Sequence, residues 1–288
     1  MKAVFKKEFK GYFTSVSGFA AIAAVIFIVG FFFRMMCLQR GYGTMVYALY
    51  YAGMYVFLIV TPVLSMRTFT AETRHKTDQL LYTSPVSVTK IVLGKFLAMA
   101  AVFTIPVLVI CVMPLILKAY GGGSPALDYT SIFAFYLMGL AYLAAGMFIS
   151  SLTGNVVVSL LGTVLFVLLT QLLYSMTTSS SGSELGSLIF LIIAALFIGG
   201  IVWLLTKSWR AGAVVAAVLV AVVLIAYTVN SAWFAGRAED IAGVLDFQQH
   251  YLTFLLGSFS LKETVYFLSV IFVALFVTDQ SIRSKRWS

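Results

Sequence analysis

Eight apolar runs, each near the roughly 20 residues that a helix needs to cross a bilayer core, restrict what this chain can fold into. Charged residues make up only 10% of it and hydrophobic residues 61%, whereas soluble domains carry about 25% charged residues. The sequence therefore predicts an all-α, polytopic membrane protein with about eight membrane-embedded helices. The runs cover residues 17–37, 45–65, 91–117, 130–152, 155–175, 187–206, 211–230 and 264–280.

Basic residues are distributed unequally between the two sides of the predicted membrane. With the N-terminus inside, fourteen of the 19 lysines and arginines lie in inner segments: Lys2, Lys6, Lys7, Lys10, Arg67, Arg74, Lys76, Lys90, Lys95, Lys207, Arg210, Arg283, Lys285 and Arg286. The outer segments hold Arg34, Arg40, Lys118, Arg237 and Lys262. This asymmetry follows the positive-inside rule. An even number of spans also returns the C-terminus to the inner side, so both termini are predicted to be cytoplasmic.

The segment before the first span, residues 1–16, is amphipathic. Aromatic residues recur at helical spacing, and basic residues fall mostly on the other side. The pattern predicts a helix lying in the membrane interface, where each lysine gains about 1 kcal/mol from anionic headgroups. A membrane span follows at once, so a nucleic-acid partner is not expected. The aromatic residues are Phe5, Phe9, Tyr12 and Phe13, and the basic residues are Lys2, Lys6, Lys7 and Lys10.

A charged segment, residues 66–90, separates the second apolar run from the third. No glycine or proline interrupts residues 69–81, and apolar and small polar side chains there keep helical spacing. Pro85 ends this predicted helix, because proline restricts the residue before it and cannot continue the hydrogen-bond ladder. Ser87 can then cap the next helix. The spaced residues are Phe69, Thr73, Thr77 and Leu80.

From the residues alone, two interpretations of this segment stay open. A short polar helix with an apolar edge, held at a membrane face, suits docking to a soluble partner. The alternative is a solvated loop whose charges only fix topology. The charged residues concerned are Arg67, Glu72, Arg74, His75, Lys76, Asp78, Lys90 and Lys95.

The pattern M-R-T-F-x-x-E-x-R-x-x-T-D-Q-L-L-x-T-S-P-V-S in this segment resembles the cytoplasmic loop of ABC type-2 permeases, above all their gliding-motility-associated branch. A weaker likeness lies near the C-terminus, at Tyr266, Phe267, Leu268, Ser269, Arg286 and Trp287. The residues matching in the loop are Met66, Arg67, Thr68, Phe69, Glu72, Arg74, Thr77, Asp78, Gln79, Leu80, Leu81, Thr83, Ser84, Pro85, Val86, Ser87, Lys90, Gly94, Lys95 and Phe96.

This resemblance implies the membrane-spanning permease subunit of an ABC exporter in the cell (inner) membrane. The loop would form the coupling helix that sits in a groove of a separate ATPase subunit, which binds the ATP. A second permease chain, identical or related, would face a second ATPase. The resemblance also implies an N-terminal elbow helix in residues 1–16. The coupling residues it implies are Phe69, Glu72, Arg74, Thr77, Asp78, Leu80, Leu81 and Pro85.

The number of spans departs from the family, whose permeases commonly have six. Either the hairpin 187–230 is an addition, or one run is re-entrant. The short turn at 153–155 favours the second for residues 130–175. The predicted organisation is an elbow helix (1–16), two spans (17–65), the coupling loop (66–90), further spans (91–230), an extracytoplasmic segment (231–263), and a last span with a basic tail (264–288).

Two spans carry features that predict their packing. The run 130–152 is rich in small residues, which let helices approach closely in lipid, so we expect it to be central. A glycine hinge in a gate is the alternative for the same residues. In the run 91–117, Pro106 and Pro114 predict a kink. The small residues are Gly139, Ala141, Ala144, Ala145 and Gly146.

The outer segment, residues 231–263, predicts an amphipathic helix between Asp240 and Ser260 that lies on the outer leaflet. His250 on its polar face is interpreted as an interface residue rather than a ligand. The apolar stripe is Ile241, Val244, Leu245, Leu252, Leu255 and Phe259, and the polar face is Asp246, Gln249, His250 and Thr253.

Several kinds of chemistry have no motif in this sequence. The chain has no G-x-x-x-x-G-K-[ST] and no H-E-x-x-H, so we expect no ATPase activity of its own, no metal and no cofactor. Cys37 and Cys111 are read as free apolar cysteines. Ionisable groups at mid-depth, which ion-coupled carriers use, are nearly absent. Two other function classes stay open: an ATP-independent carrier or channel, and a membrane assembly factor that transports nothing.

Overall fold

The computed structural model describes residues 1–74, 86–179, 184–206, 208–229, 246–255 and 259–287. Within these ranges every regular element is helical. The chain divides into two compact units. The first comprises Met1–Val167 with His250–Ser288, and the second comprises Leu168–Gln249. The all-α, multi-span class predicted from the sequence is confirmed.

The first unit begins with helix α1, Lys2–Thr14, followed by α2, Val16–Phe32, which continues as a π-helix over Phe33–Gln39. Helix α3 covers Val46–Ser65, and the short helix α4 covers Thr70–Arg74. The lysines on the predicted basic face of α1 are exposed, whereas Tyr12 is buried. The amphipathic helix predicted for residues 1–16 is therefore present.

Prolines divide the third apolar run as predicted. Helix α5, Val88–Ile110, contains Pro106 and ends shortly after it, while α6 covers Met113–Ala119 with Pro114 in its first turn. A proline removes one backbone donor and obstructs the turn before it, so a helix bends or restarts there. At the first turn of α6 it is well tolerated, because that N–H has no partner inside the helix.

Helix α7, Pro125–Leu152, is the central helix of the first unit. Of its apolar stretch 78% is buried, more than in any other candidate span. It packs against α3 and α5, and also against the last helix, α12, which covers Leu261–Trp287. A Cβ on Gly139 would collide with the Phe103 ring of α5. The prediction of a central, small-residue helix is confirmed.

Six helices in the described part of the chain are long and apolar enough to cross a membrane. Two more, α8 (Val156–Ser179) and α9 (Glu184–Thr206), contain shorter apolar helical stretches. Helix α7 runs unbroken for 28 residues, which at 1.5 Å per residue is about 42 Å. That length is enough to cross a bilayer core, so it favours a full span for α7. The re-entrant interpretation of residues 130–175, which also covers α8, stays a prediction. The six candidate spans are residues 16–39, 46–73, 88–119, 125–152, 209–228 and 261–284.

The second unit contains the predicted hairpin of α9 and α10, Trp209–Val229. The two helices approach closely because both carry glycine at the contact. A Cβ on Gly199 would lie 2.9 Å from the Gly212 carbonyl oxygen, and one on Gly212 would press on Trp203. In lipid no hydrophobic effect drives helices together, so they associate through close packing, and small residues at the crossing let the backbones approach.

Helix α11, Phe247–Leu255, is shorter than the predicted Asp240–Ser260, and its buried face differs. The most buried side chains are Phe247, Tyr251 and Phe254, whereas Leu252 is half-buried and Phe259 is 58% exposed. Leu252 and Phe259 thus keep surface that the bundle does not cover, and the contact of the predicted stripe with the outer leaflet stays a prediction. Ile241, Val244, Leu245 and the side chain of Leu255 lie outside the described residues.

Candidate functional site

A buried lysine, Lys95 of α5, organises the end of the bundle where α4 lies, here called the α4 end. Its side chain is 1% exposed. The Nζ atom lies 2.9 Å from Glu8 Oε1 and 3.0 Å from Glu72 Oε1, and it donates to the Thr68 carbonyl oxygen at 2.8 Å. It also lies 5.2 Å from the centroid of the Phe69 ring. One cation thus joins α1, α4 and α5.

Helix α1 is fixed to this end by the face that carries Glu8. The Tyr12 hydroxyl donates to the Leu64 carbonyl oxygen at 2.9 Å, near the end of α3. Burial of this phenol raises its pKa above the usual value. A Cβ on Gly94 would lie 3.2 Å from Val4, so α1 and α5 touch closely. Val4, Glu8 and Tyr12 are four residues apart and share one helix face.

The segment that leads into α4 is fixed to the end of α7. The Phe69 N–H donates to Ser150 Oγ at 3.2 Å. The Thr68 hydroxyl donates to the sulfur of Met99 at 3.3 Å. A Cβ on Gly154 would lie 3.1 Å from Thr73 Cγ2, so α4 rests on the turn between α7 and α8. The start of the predicted coupling loop is therefore part of the packed bundle.

Two carboxylates and a backbone carbonyl surround the buried Lys95 Nζ. A buried cation is costly unless it is paired and fully hydrogen-bonded, and Lys95 has two carboxylates and a carbonyl. Lys7 of α1 lies 3.5 Å from Glu72 and balances the second carboxylate. The Lys7 side chain is 71% exposed, so this outer pair contributes little. The contacts of Lys95 therefore account for most of the connection between α1, α4 and α5.

The predicted coupling residues are placed only in part. Phe69 is buried in the chain itself, Glu72 binds Lys95, and Arg74 is the last residue of α4. Thr77, Asp78, Leu80, Leu81 and Pro85 lie outside the described residues, so their part in coupling stays a prediction.

Sequence reasoning missed Glu8 and Ser150, and it counted Lys95 among the charges of the inner face without predicting its burial. A signal for Glu8 exists in the sequence, because it is the one acidic residue among the four lysines of residues 1–16. It stands four residues before Tyr12 on the same helix face.

The last helix is also tied to the α4 end. Arg283 Nε lies 2.7 Å from Asp279 Oδ2, one helical turn earlier, and Arg283 Nη2 donates to Thr89 Oγ1 at 3.1 Å. The Ser151 and Ser281 hydroxyls lie 3.4 Å apart. Helix α12 therefore contacts the start of α5 and the end of α7 through polar groups.

Two polar contacts mark the opposite end of the first unit. Asp128, in the first turn of α7, accepts a hydrogen bond from the Met45 N–H at 2.7 Å, just before α3 begins. His250 bonds to Glu263 and stacks on the Tyr266 ring with 3.7 Å between centroids. The described residues hold no group of three or more side chains suited to a metal.

Comparison with known proteins gives one match. The family model described as ABC-2 family transporter protein matches residues 33–185, which include α3, α4, α5 and α7. Lys95, Glu72 and Phe69 lie in the matched region, whereas Glu8 and α12 lie outside it. Neither a curated protein nor a solved structure matches the chain.

Proposed function

The chain belongs to the ABC-2 family of transporter proteins and is a multi-pass permease component, and on that basis we propose that it works with a separate ATPase subunit as an exporter of the type-2 class. The partner binds and hydrolyses ATP, and a second permease chain, identical or related, completes the complex. Both termini face the cytoplasm, and the complex lies in the inner membrane. Within the family, the loop motif favours the gliding-motility-associated branch.

One observation carries this proposal at the level of residues: the Lys95 cluster fixes the start of the loop to two helices, α1 and α5. Glu72 and Thr68 belong to the loop, Glu8 to α1, and Lys95 to the third candidate span. A force applied to residues 75–85 by an ATPase reaches the bundle through these contacts. A solvated loop whose charges only fixed topology would not need a buried lysine bound to the residues at its start.

The coupling residues divide into two groups in this proposal. Phe69 and Glu72 hold the loop to the bundle, because both already contact Lys95. Those further along the chain contact the ATPase groove, where an apolar edge is buried and charges form pairs. Pro85 ends the loop before α5. The ATPase-contacting residues are Arg74, Thr77, Asp78, Leu80 and Leu81.

Leu80→Asp tests the proposal. Truncating or charging a buried interface anchor costs about 2 kcal/mol or more, so we expect the variant to lose ATPase binding by at least about thirty-fold. Lys76→Ala is the matched control, because a rim charge mainly affects the rate of encounter. The measurement is ATPase co-purification, with ATP hydrolysis in reconstituted vesicles.

Both variants must insert and elute as folded permease for the comparison to count. If Leu80→Asp retains full ATPase binding and full hydrolysis, the loop is not the docking element. The proposal would then lose its support from these residues, and an ATP-independent carrier or an assembly factor would become the better interpretation.

A further inference from the structure

A stripe of three tyrosines runs along the exposed side of α3. Tyr47, Tyr51 and Tyr55 are spaced by four residues, so they share one helix face. They are 49%, 40% and 51% exposed. The Phe32 ring of α2 lies nearly parallel to two of them, with centroids 6.2 Å from Tyr51 and 5.6 Å from Tyr55. We call this surface the tyrosine stripe.

The depth of the stripe makes it unusual for a lipid-facing surface. Tyr55 is the tenth of the 20 residues of α3, about 14 Å along the helix. Tyrosines of an interfacial belt place their hydroxyl among headgroups, and Tyr47 at the helix start can do so. A hydroxyl at mid-depth cannot reach them, and hydrocarbon offers it no hydrogen-bond partner.

Two other tyrosines near or within the candidate spans form hydrogen bonds inside the first unit. Tyr136 shares a hydrogen bond with Thr104 at 3.0 Å, and Tyr129 donates to the Cys111 carbonyl oxygen at 3.3 Å. In the described part of the chain, the hydroxyls of Tyr51 and Tyr55 have no such partner. Both side chains are partly exposed, so water or another molecule can reach their hydroxyls.

Other exposed faces of the first unit carry apolar side chains at similar depth. Leu97 near the middle of α5 is 41% exposed, and Phe272 near the middle of α12 is 71% exposed. Such side chains suit lipid tails. The contrast between these faces and the tyrosine stripe indicates that the stripe faces something other than lipid.

We propose that the tyrosine stripe lines a water-accessible pathway and binds a transported molecule that is amphipathic. The phenol hydroxyls donate hydrogen bonds to acceptor oxygens of its polar part. The tyrosine rings, with Phe32 beside them, take its apolar part, because aromatic side chains offer an apolar body and a polar tip. The identity of the ligand as a transported molecule rests on the proposed function, whereas the access of water does not.

Cysteine accessibility tests the proposal without any knowledge of the substrate. Cys37 and Cys111 are first replaced by alanine, and then Tyr55→Cys and Tyr51→Cys are each introduced. The probe is a charged, water-soluble thiol reagent applied to native membranes from both sides. We expect both cysteines to react about ten-fold or more faster than Leu97→Cys and Phe272→Cys, because only a thiol in water ionises readily. Tyr120→Cys, at a loop position that is 79% exposed, is the positive control.

Each remaining outcome counts against the proposal. Equally slow reaction at the stripe and at Leu97→Cys means that lipid covers the stripe. Slow reaction combined with an oxidative Tyr55→Cys cross-link between two chains means that a second copy covers it. Because all these positions are exposed, the variants should fold. If Tyr55→Cys does not fold, Tyr51→Cys alone tests the proposal. The proposed function is tested by ATPase co-purification, which does not depend on the reactivity of these cysteines. Failure of the proposal for the tyrosine stripe can therefore be distinguished from failure of the proposed function.

Discussion

At the scale of the residue, Lys95 shows where sequence reasoning stops. The motif places it near the inner end of a span, and that much was predicted. Its burial depends on Glu8, which is 87 residues away in the chain. No local periodicity reports a contact of that kind. Phe69 shows the same limit, because no local pattern predicts that its ring is buried next to Lys95, and its part in coupling stays a prediction.

Replacing Lys95 by methionine should destabilise the permease itself. The variant keeps the volume but leaves the carboxylates of Glu8 and Glu72 partly buried without their cation. Removing one partner of a buried ion pair costs 3–5 kcal/mol in general. We expect about 3 kcal/mol here, because both carboxylates keep some access to water. The measurement is the free energy of unfolding of the purified protein in detergent.

Lys90→Met is the matched control for that variant. Lys90 is exposed and lies five residues earlier on the same helix, so its loss should change stability by less than about 0.5 kcal/mol. Adding Glu8→Gln to Lys95→Met should restore part of the loss, since one unpaired charge is removed. Equal stability of Lys95→Met and Lys90→Met would show that the cluster does not hold the helices together.

At the scale of the element, the sequence pattern was sufficient to predict a helix whose character is simple, such as one with a single apolar face or one rich in small residues. The amphipathic α1 and the small-residue helix α7 were both predicted within a few residues of their ends. The outer helix α11 was predicted to begin at Asp240. The described helix begins at Phe247 and buries aromatic residues, Tyr251 and Phe254 among them. A short helix with many aromatic residues on several sides has no single clear stripe.

Gly139→Ala should destabilise the contact between α7 and α5. The added Cβ would strike the rigid Phe103 ring and also press on Phe57. Overpacking of this kind costs about 1–3 kcal/mol. Gly30→Ala in α2 is the control, because nothing lies within 4 Å of its Cβ position. There alanine should be neutral or stabilise the helix by up to about 1 kcal/mol. Thermal unfolding of both variants in detergent checks the difference, and a destabilisation shared by both would remove the packing argument.

At the scale of the whole molecule, the structure sorts the loops of the first unit into two groups. The turn containing Gly154 lies beside Thr73 at the α4 end, and Asp128 lies beside Met45 at the other. The alternating spans predicted from the sequence give the same grouping. The charge asymmetry predicts the direction, with the α4 end inside. The count of eight membrane-embedded helices stays a prediction, with six candidate spans found in the described part.

Labelling of single cysteines by an impermeant maleimide should reveal this orientation. In a background without Cys37 and Cys111, we expect Tyr120→Cys to react in intact cells, because Tyr120 is exposed and lies at the end that the charge asymmetry predicts to be outer. Lys10→Cys and Asn155→Cys are also at exposed positions, yet they should react only after the membrane is permeabilised. The physical reason is that lysine and arginine resist translocation, and the α4 end carries most of them. Reaction of Asn155→Cys from outside, with Tyr120→Cys protected, would place the coupling loop on the side of the membrane that lacks ATP. In that case no cytoplasmic ATPase could bind the loop, however well the Lys95 cluster holds it to the bundle.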